Sequence, residues 1–442
     1  MACFYYLKLY NVNKEEVLVM DNFKDLRVNR KILCIDLKSF FASVECVLNG
    51  LDPFKDPLVV ANKSHGEGSI VLAVTPYLKS LGVKSRLRVF ELPKDIDIYF
   101  AKPQMAKYIE YSIKVINVYL EFVSKKDIYV YSIDEVFLDA TNYLDYYGMS
   151  AEELAKTILN KIKESLGLYA SCGIGPNMLM AKFALDIEAK KRSDNIAKWH
   201  YEDLSEKLWP VDDLSSMWGI GSKLKLKLNK LGIVTVGDLA NYNKDILKRR
   251  FGVIGLELFY HANGIDSSLV KDQFNYLTRQ KSYGVGQVLF RDYNYTDIQT
   301  ILFEMTDELV KRLVLTNRKT KTITLSLMYS KNLGGFSRQQ SLDVASNNLD
   351  IIYLEIINLL TFYYEDLPIR RVAISFSNLV DNKVKAFSIF DDVERLDKDY
   401  KLVNTFNELE SRFGKGKVFK GTSLKAEATA LKRAKQIGGH DA

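Results

Sequence analysis

Apolar residues follow three successive patterns along this chain. In the first, short strand-like runs alternate with stretches whose apolar residues recur at helical spacing. The predicted elements are a strand and a helix within residues 31–60, a short strand and a helix within 69–90 that ends at Gly82, helices over 103–124 and 150–166, and a helix that starts after Pro176. This order predicts one α/β unit over residues 31–198.

Acidic residues interrupt two of the predicted strands. In DIYVYSIDEVFLDAT, residues 127–141, Asp134 and Glu135 stand between apolar and aromatic residues. In KILCIDLKSFFASVE, residues 31–45, Asp36 stands at the end of an apolar strand. Neighbouring side chains on a flat strand point to opposite faces. Asp134 and Glu135 can serve one site only if the chain turns there, so we expect a hairpin with the pair at its tip.

Three carboxylates from two strands indicate a metal site. Mg²⁺ prefers oxygen ligands and keeps substrate phosphates in its shell, and two such ions can drive an in-line displacement at phosphorus. The predicted ligands are Asp36, Asp134, Glu135 and the carbonyl of Leu37. The candidate cations for the phosphates are Lys79, Lys190 and Lys191. The alternative, acids that only form turns, would suffice for an isolated Asp-Glu pair, but the flanking strands favour the metal site.

The second pattern begins near Trp209, where two short predicted helices flank Gly219, Ile220 and Gly221. Two glycines that open a lysine-rich helix leave free backbone amides at a helix N-terminus, which is an anion site. Together with Lys223, and with LGI and TVGDL following, this stretch resembles a helix-hairpin-helix, a grip on DNA phosphates that ignores base sequence. A plain helical hairpin packed in a core is the alternative.

The third pattern runs from Gln280 to Asn378 in the order strand, helix, strand, strand, helix, strand. Along residues 321–330, Thr and Ser alternate with Ile and Leu, and residues 369–378 alternate likewise. The order is that of a ferredoxin-like, split βαβ module. Its polar face could lie against a nucleic-acid backbone.

Composition and charge narrow the function classes. No apolar run approaches the roughly 20 residues that span a bilayer, and the first 20 residues lack the features of a secretion signal. The four cysteines form no CxxC and make no zinc spacing with the four histidines. We therefore expect a soluble, cytoplasmic protein with reduced thiols.

The net charge, 62 minus 55 or +7, is modest. From Phe413 to His440, however, seven basic residues face one acid, Glu427. Such a stretch suits contact with phosphates. The alternative, equally consistent with charge alone, is a solvated tail.

Two aromatic residues follow Asp36 on the predicted helix. Phe40 and Phe41 are adjacent, so they face different ways. One can enter the core, which we favour for Phe40, while Phe41 can line the pocket beside Asp36 and fill the space that a ribose 2′-hydroxyl needs.

The motifs CIDLKSFFASVE, YSIDEVFLD, GIGPNMLMAKFALDIEAKK and MWGIG…LGIVTVGDL resemble, in order and spacing, the Y-family (UmuC/DinB/ImpB-like) lesion-bypass DNA polymerases. The similarity covers about residues 20–442 and is greatest to the UmuC-like branch of Gram-positive bacteria. It implies an α+β, multidomain right hand that transfers nucleotides with two Mg²⁺ ions and no proofreading domain. The implied segments are an N-terminal extension (1–30), palm (31–50 and 96–198), fingers (51–95), helix-hairpin-helix thumb (199–270), linker (271–280), little finger (281–380) and tail (381–442).

The resemblance assigns roles residue by residue. Asp36, Asp134 and Glu135 match the metal carboxylates, and Phe41 matches the gate that excludes ribose. In the fingers, relatives often carry a Tyr and an Arg where this chain has Pro76 and Lys79. Lys keeps the charge of Arg but not its planar fork, so Thr75 is expected to supply a hydroxyl. Either Lys190 or Lys191 matches the palm lysine on the triphosphate.

Both ends of the chain carry further expectations. MDNFKDLRVNRKILCID from Met20 resembles a family start, so residues 1–19 are either an extension or an extra strand on the palm. In VKAFSIFDD, residues 384–392, three apolar residues occupy the places of a sliding-clamp peptide, although Ala386 replaces its glutamine. These residues are Phe387, Ile389 and Phe390. The alternative is an edge strand of the little finger.

The prediction is therefore a monomeric, nucleoid-associated DNA polymerase for translesion synthesis in the SOS response. Its expected partners are primed template DNA, deoxynucleoside triphosphates and a bacterial sliding clamp. A non-enzymatic DNA-binding accessory protein with a palm scaffold is the alternative, and the intact acidic triad speaks against it. A palm-fold nucleotide cyclase would not need the helix-hairpin-helix or the basic tail.

Overall fold

The computed structural model describes residues 26–274, 281–382 and 392–441. The chain divides into two compact units, Met1–Leu277 and Thr278–Ala442. The predictions for residues 1–19 and for the clamp peptide concern residues outside the described ones. In the described parts of the chain, no helix combines the length and hydrophobicity that crossing a bilayer requires.

The first unit is built on a five-stranded sheet. Its elements are β1 (Ile32–Leu37), α1 (Phe40–Asn49), β2 (Leu58–Val60), β3 (Ala73–Val74), α2 (Pro76–Ser80), β4 (Tyr99–Ala101), α3 (Met105–Leu120), β5 (Ile128–Val130), β6 (Glu135–Asp139), α4 (Leu144–Tyr147), α5 (Ala151–Leu166), β7 (Ala170–Gly175), α6 (Met178–Phe183), β8 (Ile196–Lys198), α7 (Ser222–Asn229), α8 (Val236–Ala240), α9 (Lys244–Phe251) and α10 (Val253–Ala262). The sheet order is β5-β6-β1-β7-β8, with β1 antiparallel to both β6 and β7.

The sheet is buried on both faces, which explains why β1 is almost wholly apolar. Residues from α1, α3 and α5 form one core on it, including Val44, Tyr108 and Ile158. Residues of α6 and of helices α7 to α10 form the other core, with Leu179 and Leu228. A short sheet in the order β3-β2-β4 packs with α2 around a separate small core.

The segment before Gly219 differs from the prediction of two flanking helices. It forms a π-helical turn at Leu204–Leu208 and a 3-10 turn at Leu214–Ser216, whereas the α-helix α7 follows Gly221. Pro210 lies between the two turns and has no N–H for a continuing helix. The side chain of Asp213 then accepts from the amide of Ser215 and starts the second turn.

The second unit has the predicted order of elements. These are β9 (Ser282–Tyr293), α11 (Tyr295–Leu315), β10 (Arg318–Tyr329), β11 (Gly335–Ser346), α12 (Leu349–Tyr363), β12 (Ile369–Ser377), β13 (Val380–Asp381), α13 (Val393–Phe413), α14 (Ala430–Ala434), β14 (Gln436–Ile437) and β15 (His440–Asp441). The sheet order β11-β10-β12-β9 separates the strands of each βαβ unit by one strand of the other. The alternating Ile323, Leu325 and Leu327 are buried, as the pattern predicts.

The basic stretch near the C-terminus is in part packed on α11. Lys420 lies 2.7 Å from Asp307, and Arg433 pairs with Glu308. The buried Glu304 accepts from the amides of Thr429 and Ala430 at 2.8 and 2.9 Å. Neither predicted state of this stretch, a phosphate-binding surface or a solvated tail, describes it fully, because acids of α11 already neutralise part of its charge.

Candidate active site

The acidic pair lies at a hairpin tip, as the sequence predicts. Residues 131–134 join β5 to β6, and the carbonyl of Glu135 accepts from the amides of Tyr131 and Ser132, each at 3.0 Å. Asp134 stands in the turn, where the hydroxyl of Ser132 donates to its carboxylate at 2.6 Å. Glu135 is the first residue of β6. The turn lets two adjacent acids reach the same end of the sheet.

The end of β1 brings Asp36 to this hairpin. Asp36 is paired in register with Glu135, and the amide of Leu37 donates to the carbonyl of Asp134 at 2.9 Å. Burial raises the pKa of Asp36 to about 6; the charge of Lys190 lowers it, while those of Asp134 and Glu135 raise it. The three carboxylates therefore lie close enough to repel one another.

Lys182 is the counter-ion of Glu135. Its ammonium lies 2.8 Å from Oε2 of Glu135, and both side chains are at most 10% exposed. The thiol of Cys34 donates to Oε1 at 3.3 Å. Burial lowers the pKa of Lys182, but neighbouring Cys34, Glu135 and Asp186 outweigh it and raise that pKa above its ordinary value. A charged pair is thus held inside the first unit.

A π-helical turn, Ala184–Glu188, continues α6 and aligns three charged residues. Asp186 lies 3.1 Å from Lys182 and 2.8 Å from Lys190. Lys190 in turn lies 3.4 Å from Oδ2 of Asp36. Charges of alternating sign therefore link Asp36 to Glu135. Of the two predicted lysines, Lys190 reaches the carboxylates, whereas Lys191 is exposed and has no such contact among the described residues.

The glycines of SCGIGP allow this arrangement. A Cβ on Gly173 would lie 2.1 Å from the carbonyl oxygen of Ala181, and one on Gly175 would lie 2.5 Å from the amide of Ala181. The helix that carries Lys182 can approach β7 only because both positions lack a side chain. These glycines serve helix packing.

Asp36 and Glu135 are paired with lysines in this structure, whereas the carboxylate of Asp134 accepts from the hydroxyl of Ser132. Among the described residues, no three acidic, cysteine or histidine side chains are arranged to hold a metal ion. The donor set nevertheless fits a hard divalent cation, because it consists of carboxylate oxygens and a nearby backbone carbonyl. The burial of Asp36, which raises its pKa, points the same way, because a buried carboxylate is costly unless a cation or donors surround it.

Helix α1 presents the two phenylalanines on different sides. Phe40 is 3% exposed and belongs to the core, as the sequence favours. Phe41 is half-buried, and its ring stacks on that of Tyr108 with 4.4 Å between centroids. One face of the ring of Phe41, the predicted gate residue, is therefore covered by the ring of Tyr108.

The predicted fingers residues differ in availability. Lys79 lies on α2 and is exposed. Its pKa is lowered: desolvation lowers it, the charge of Asp36 raises it, and the charge of Lys190 lowers it. Thr75 is fully buried, and its hydroxyl donates to the carbonyl of Asp56 at 3.1 Å and accepts from the amide of Leu58 at 3.3 Å. This argues against the predicted contact of Thr75 with a triphosphate, because local backbone groups already use the hydroxyl.

The Gly219–Gly221 loop lies beside the acidic hairpin. The indole N–H of Trp218 donates to the hydroxyl of Tyr131 at 3.1 Å. Gly219 has φ 92°, and a Cβ at either glycine would meet open space, so the backbone is accessible. Ile220 is buried and can offer a ligand only its backbone, whereas Lys223 is exposed.

Sequence reasoning missed Lys182, Asp186, Tyr108 and Glu45. The spacing of Lys182, Asp186 and Lys190 by four was a usable signal, since residues four apart lie on one side of a helix. Tyr108 and Glu45 gave no such signal, because their contact joins separate helices.

Comparison with known proteins follows the same division of the chain. The impB/mucB/samB family profile matches residues 35–186, its C-terminal domain matches 280–389, and the HHH motif of the family matches 201–233. The putative UV-damage repair protein UvrX of Bacillus subtilis is 38% identical over 93% of this chain and 97% of its own length. The chain belongs to the impB/mucB/samB family.

Other relatives in this family carry polymerase names. "DNA polymerase IV 2" of Bacillus subtilis is 32% identical over 92% of this chain and 98% of its own length. "DNA polymerase IV" of Moorella thermoacetica is 31% identical over 89% and 96%. A solved Y-family DNA polymerase chimera superposes with a TM-score of 0.60, covering 80% of this chain and 100% of its own at 24% identity, which supports the fold.

Lys182→Met should destabilise the first unit strongly. The change removes the cation beside buried Glu135 while keeping an unbranched side chain, and breaking a buried ion pair costs about 3–5 kcal/mol. Urea unfolding followed by tryptophan fluorescence measures it, because all three tryptophans lie in this unit.

Lys114→Met is the matched control, since Lys114 pairs at 2.8 Å with Glu110 on the exposed side of α3. This variant should unfold at the parent's urea concentration. Should Lys182→Met also unfold there, the buried pair would contribute nothing to stability.

Proposed function

We propose that this protein is a template-directed DNA polymerase that copies damaged templates in translesion synthesis, as part of the SOS response. The observation that carries the proposal is the meeting of Asp36 with Asp134 and Glu135 at one end of a buried sheet. Membership of a family whose full-length relatives are named DNA polymerase IV supports the polymerase activity. In this proposal residues 31–50 and 96–198 form the palm, 51–95 the fingers, 199–270 the thumb and 281–380 the little finger.

The proposed cofactor is a pair of Mg²⁺ ions, held by Asp36, the carbonyl of Leu37, Asp134 and Glu135. When bound, such ions activate the primer hydroxyl and neutralise the leaving phosphates. Positive charge from these ions would also offset the repulsion among the carboxylates, so Asp36 would no longer need Lys190 as its partner. Lys190 and the exposed Lys79 are then the cations that we assign to the triphosphate. Thr75 is not assigned to the triphosphate, because local backbone groups already use its hydroxyl.

Template and primer contacts are assigned to two surfaces, one in each unit. The backbone amides around Gly219 and Gly221, with Lys223, would bind phosphates without reading base sequence. On the open face of the second sheet, small or polar side chains lie in register across four strands. These residues are Gly284, Gly286, Ala373, Ser375, Thr324, Ser326, Ser337 and Gln339. Small side chains in this part of the face would let a nucleic-acid backbone approach the strands closely.

Removing a predicted metal carboxylate should stop synthesis. Asp36→Ala and Asp134→Ala should abolish primer extension with Mg²⁺, and Glu135→Ala should leave at most a trace, because each loss takes charge from the ion site. Extension of a primed template by the one templated deoxynucleotide measures this. A filter-binding assay with the same DNA should give affinities near the parent's for Asp36→Ala and Asp134→Ala, whereas Glu135→Ala also breaks the buried pair with Lys182.

An Asp134→Ala protein that extends primers at the parent's rate would refute the metal assignment. An inactive parent with intact DNA binding would instead favour the accessory-protein alternative, in which the palm is only a scaffold.

Phe41→Ala should admit ribonucleotides. Phe41 lies in the first turn of α1, five residues after Asp36, and we propose that its ring occupies the space of a 2′-hydroxyl. The measurement is kcat/KM for a deoxynucleotide divided by that for the matching ribonucleotide on one template, and the ratio should fall. An unchanged ratio would return Phe41 to a packing role.

A sliding-clamp contact through Phe387, Ile389 and Phe390 is proposed on the sequence alone, since these residues lie outside the described ones. A second contact raises the effective concentration of polymerase on DNA. The double change Ile389→Ala with Phe390→Ala should lower clamp-stimulated synthesis and leave clamp-free synthesis as in the parent. Loss of both would indicate a structural role for the segment.

A further inference from the structure

The ring of Phe41 is supported by a second aromatic residue on another helix. The rings of Phe41 and Tyr108 are nearly parallel, with an interplanar angle of 15° and 4.4 Å between centroids. Tyr108 is fully buried on α3, whereas Phe41 is half-buried on α1. One face of the proposed gate therefore rests on a buried ring.

A buried carboxylate holds Tyr108 in turn. The hydroxyl of Tyr108 donates to Oε1 of Glu45 at 2.6 Å. The side-chain amide of Gln104 donates to both carboxylate oxygens of Glu45, at 3.3 and 3.2 Å. Glu45 is 1% exposed. Burying a carboxylate is costly unless donors surround it, and these donors come from the helix opposite.

Helical spacing gives helices α1 and α3 two contacts with each other. Phe41 and Glu45 are four residues apart on α1, and Gln104 and Tyr108 are four apart at the start of α3. Residues so spaced lie on one side of a helix. A ring stack and a hydrogen-bonded carboxylate thus join the same two helices one turn apart, which leaves little freedom to tilt the ring of Phe41.

We infer that Tyr108, held by Glu45, is a positioning residue that fixes the ring of Phe41 and thereby sets discrimination against ribonucleotides. The inference rests on the proposed function and deepens it. A steric filter rejects a 2′-hydroxyl only if the blocking ring cannot turn aside, so loss of the support should relax the filter even with Phe41 present. A Tyr108 that serves only the core would lack this effect.

The test compares three variants with the parent. Tyr108→Phe keeps the ring stack and loses the hydrogen bond to Glu45, Glu45→Gln weakens the acceptor, and Tyr108→Leu removes the stack. The ratio of kcat/KM for deoxy- over ribonucleotide should fall about 2- to 10-fold in the first two, the size of effect that one hydrogen bond supports. It should fall further in Tyr108→Leu, with the change mainly in the ribonucleotide KM.

Tyr143→Phe is the matched control. The hydroxyl of Tyr143 also donates to a carboxylate at 2.6 Å, that of Asp127, in the same unit. Its phenol contacts neither Phe41 nor Glu45 among the described contacts. This variant should keep the parent's ratio, which separates loss of any tyrosine–carboxylate bond from loss of the support for Phe41.

The results of this comparison separate the positioning role of Tyr108 from a purely structural role and from failure of the proposed gate. If Tyr108→Leu and Tyr108→Phe keep the parent's ratio while Phe41→Ala lowers it, the inference is wrong and the gate stands. Equal losses for both nucleotides, with the ratio unchanged, also overturn it, because they indicate a structural role alone. If Phe41→Ala keeps the ratio, the proposed gate itself fails. Should Tyr108→Leu be insoluble, Tyr108→Phe and Glu45→Gln decide by the same criterion.

Discussion

The first unit depends on how it buries negative charge at the end of β1. Asp36 and Glu135 are register partners on the neighbouring strands β1 and β6, where Glu135 is buried and Asp36 is partly buried. Lys182 and Lys190 offset that charge, and Asp186 joins them. Desolvation of carboxylates costs several kcal/mol unless cations or donors are near. The helix that carries these lysines must therefore lie directly on β7, which in turn requires Gly173 and Gly175.

Local patterns predicted the elements well because their causes are local. Helices α3 and α5, the apolar strand β1 and the hairpin tip at Asp134 follow from residues within a few positions. The failures have causes elsewhere in the chain. The basic residues Lys420 and Arg433 gave no sign of a partner in the sequence, because their acidic partners on α11 lie more than 100 positions away. Thr75 looked available, and only the folded chain shows which carbonyl takes its proton.

The same distinction holds within the site. The carboxylates were recognisable because the chemistry requires particular residue types at strand ends, and a family resemblance repeats them. Lys182 and Glu45 were not recognised, because a lone Lys or Glu in a helix is most often a solvated residue. Their burial follows from the partners Glu135 and Tyr108, contributed by other elements. Residues that act by positioning another residue are therefore the hardest part of a site to predict from one sequence.

One turn joins the residues proposed for metal binding and for sugar selection. Asp36 is the next-to-last residue of β1, Phe41 lies in the first turn of α1, and Ser39 between them has a left-handed backbone with φ 47°. That conformation is unfavourable for a residue other than glycine, so surrounding contacts must hold it. The amide of Lys38 donates to the carbonyl of Tyr169 at 2.7 Å, and the buried hydroxyl of Ser43 donates to the carbonyl of Lys38 at 2.6 Å. Contacts with Tyr169 and Ser43 therefore brace a strained turn between the proposed metal carboxylate Asp36 and the proposed gate residue Phe41, so both proposed roles depend on one local backbone conformation.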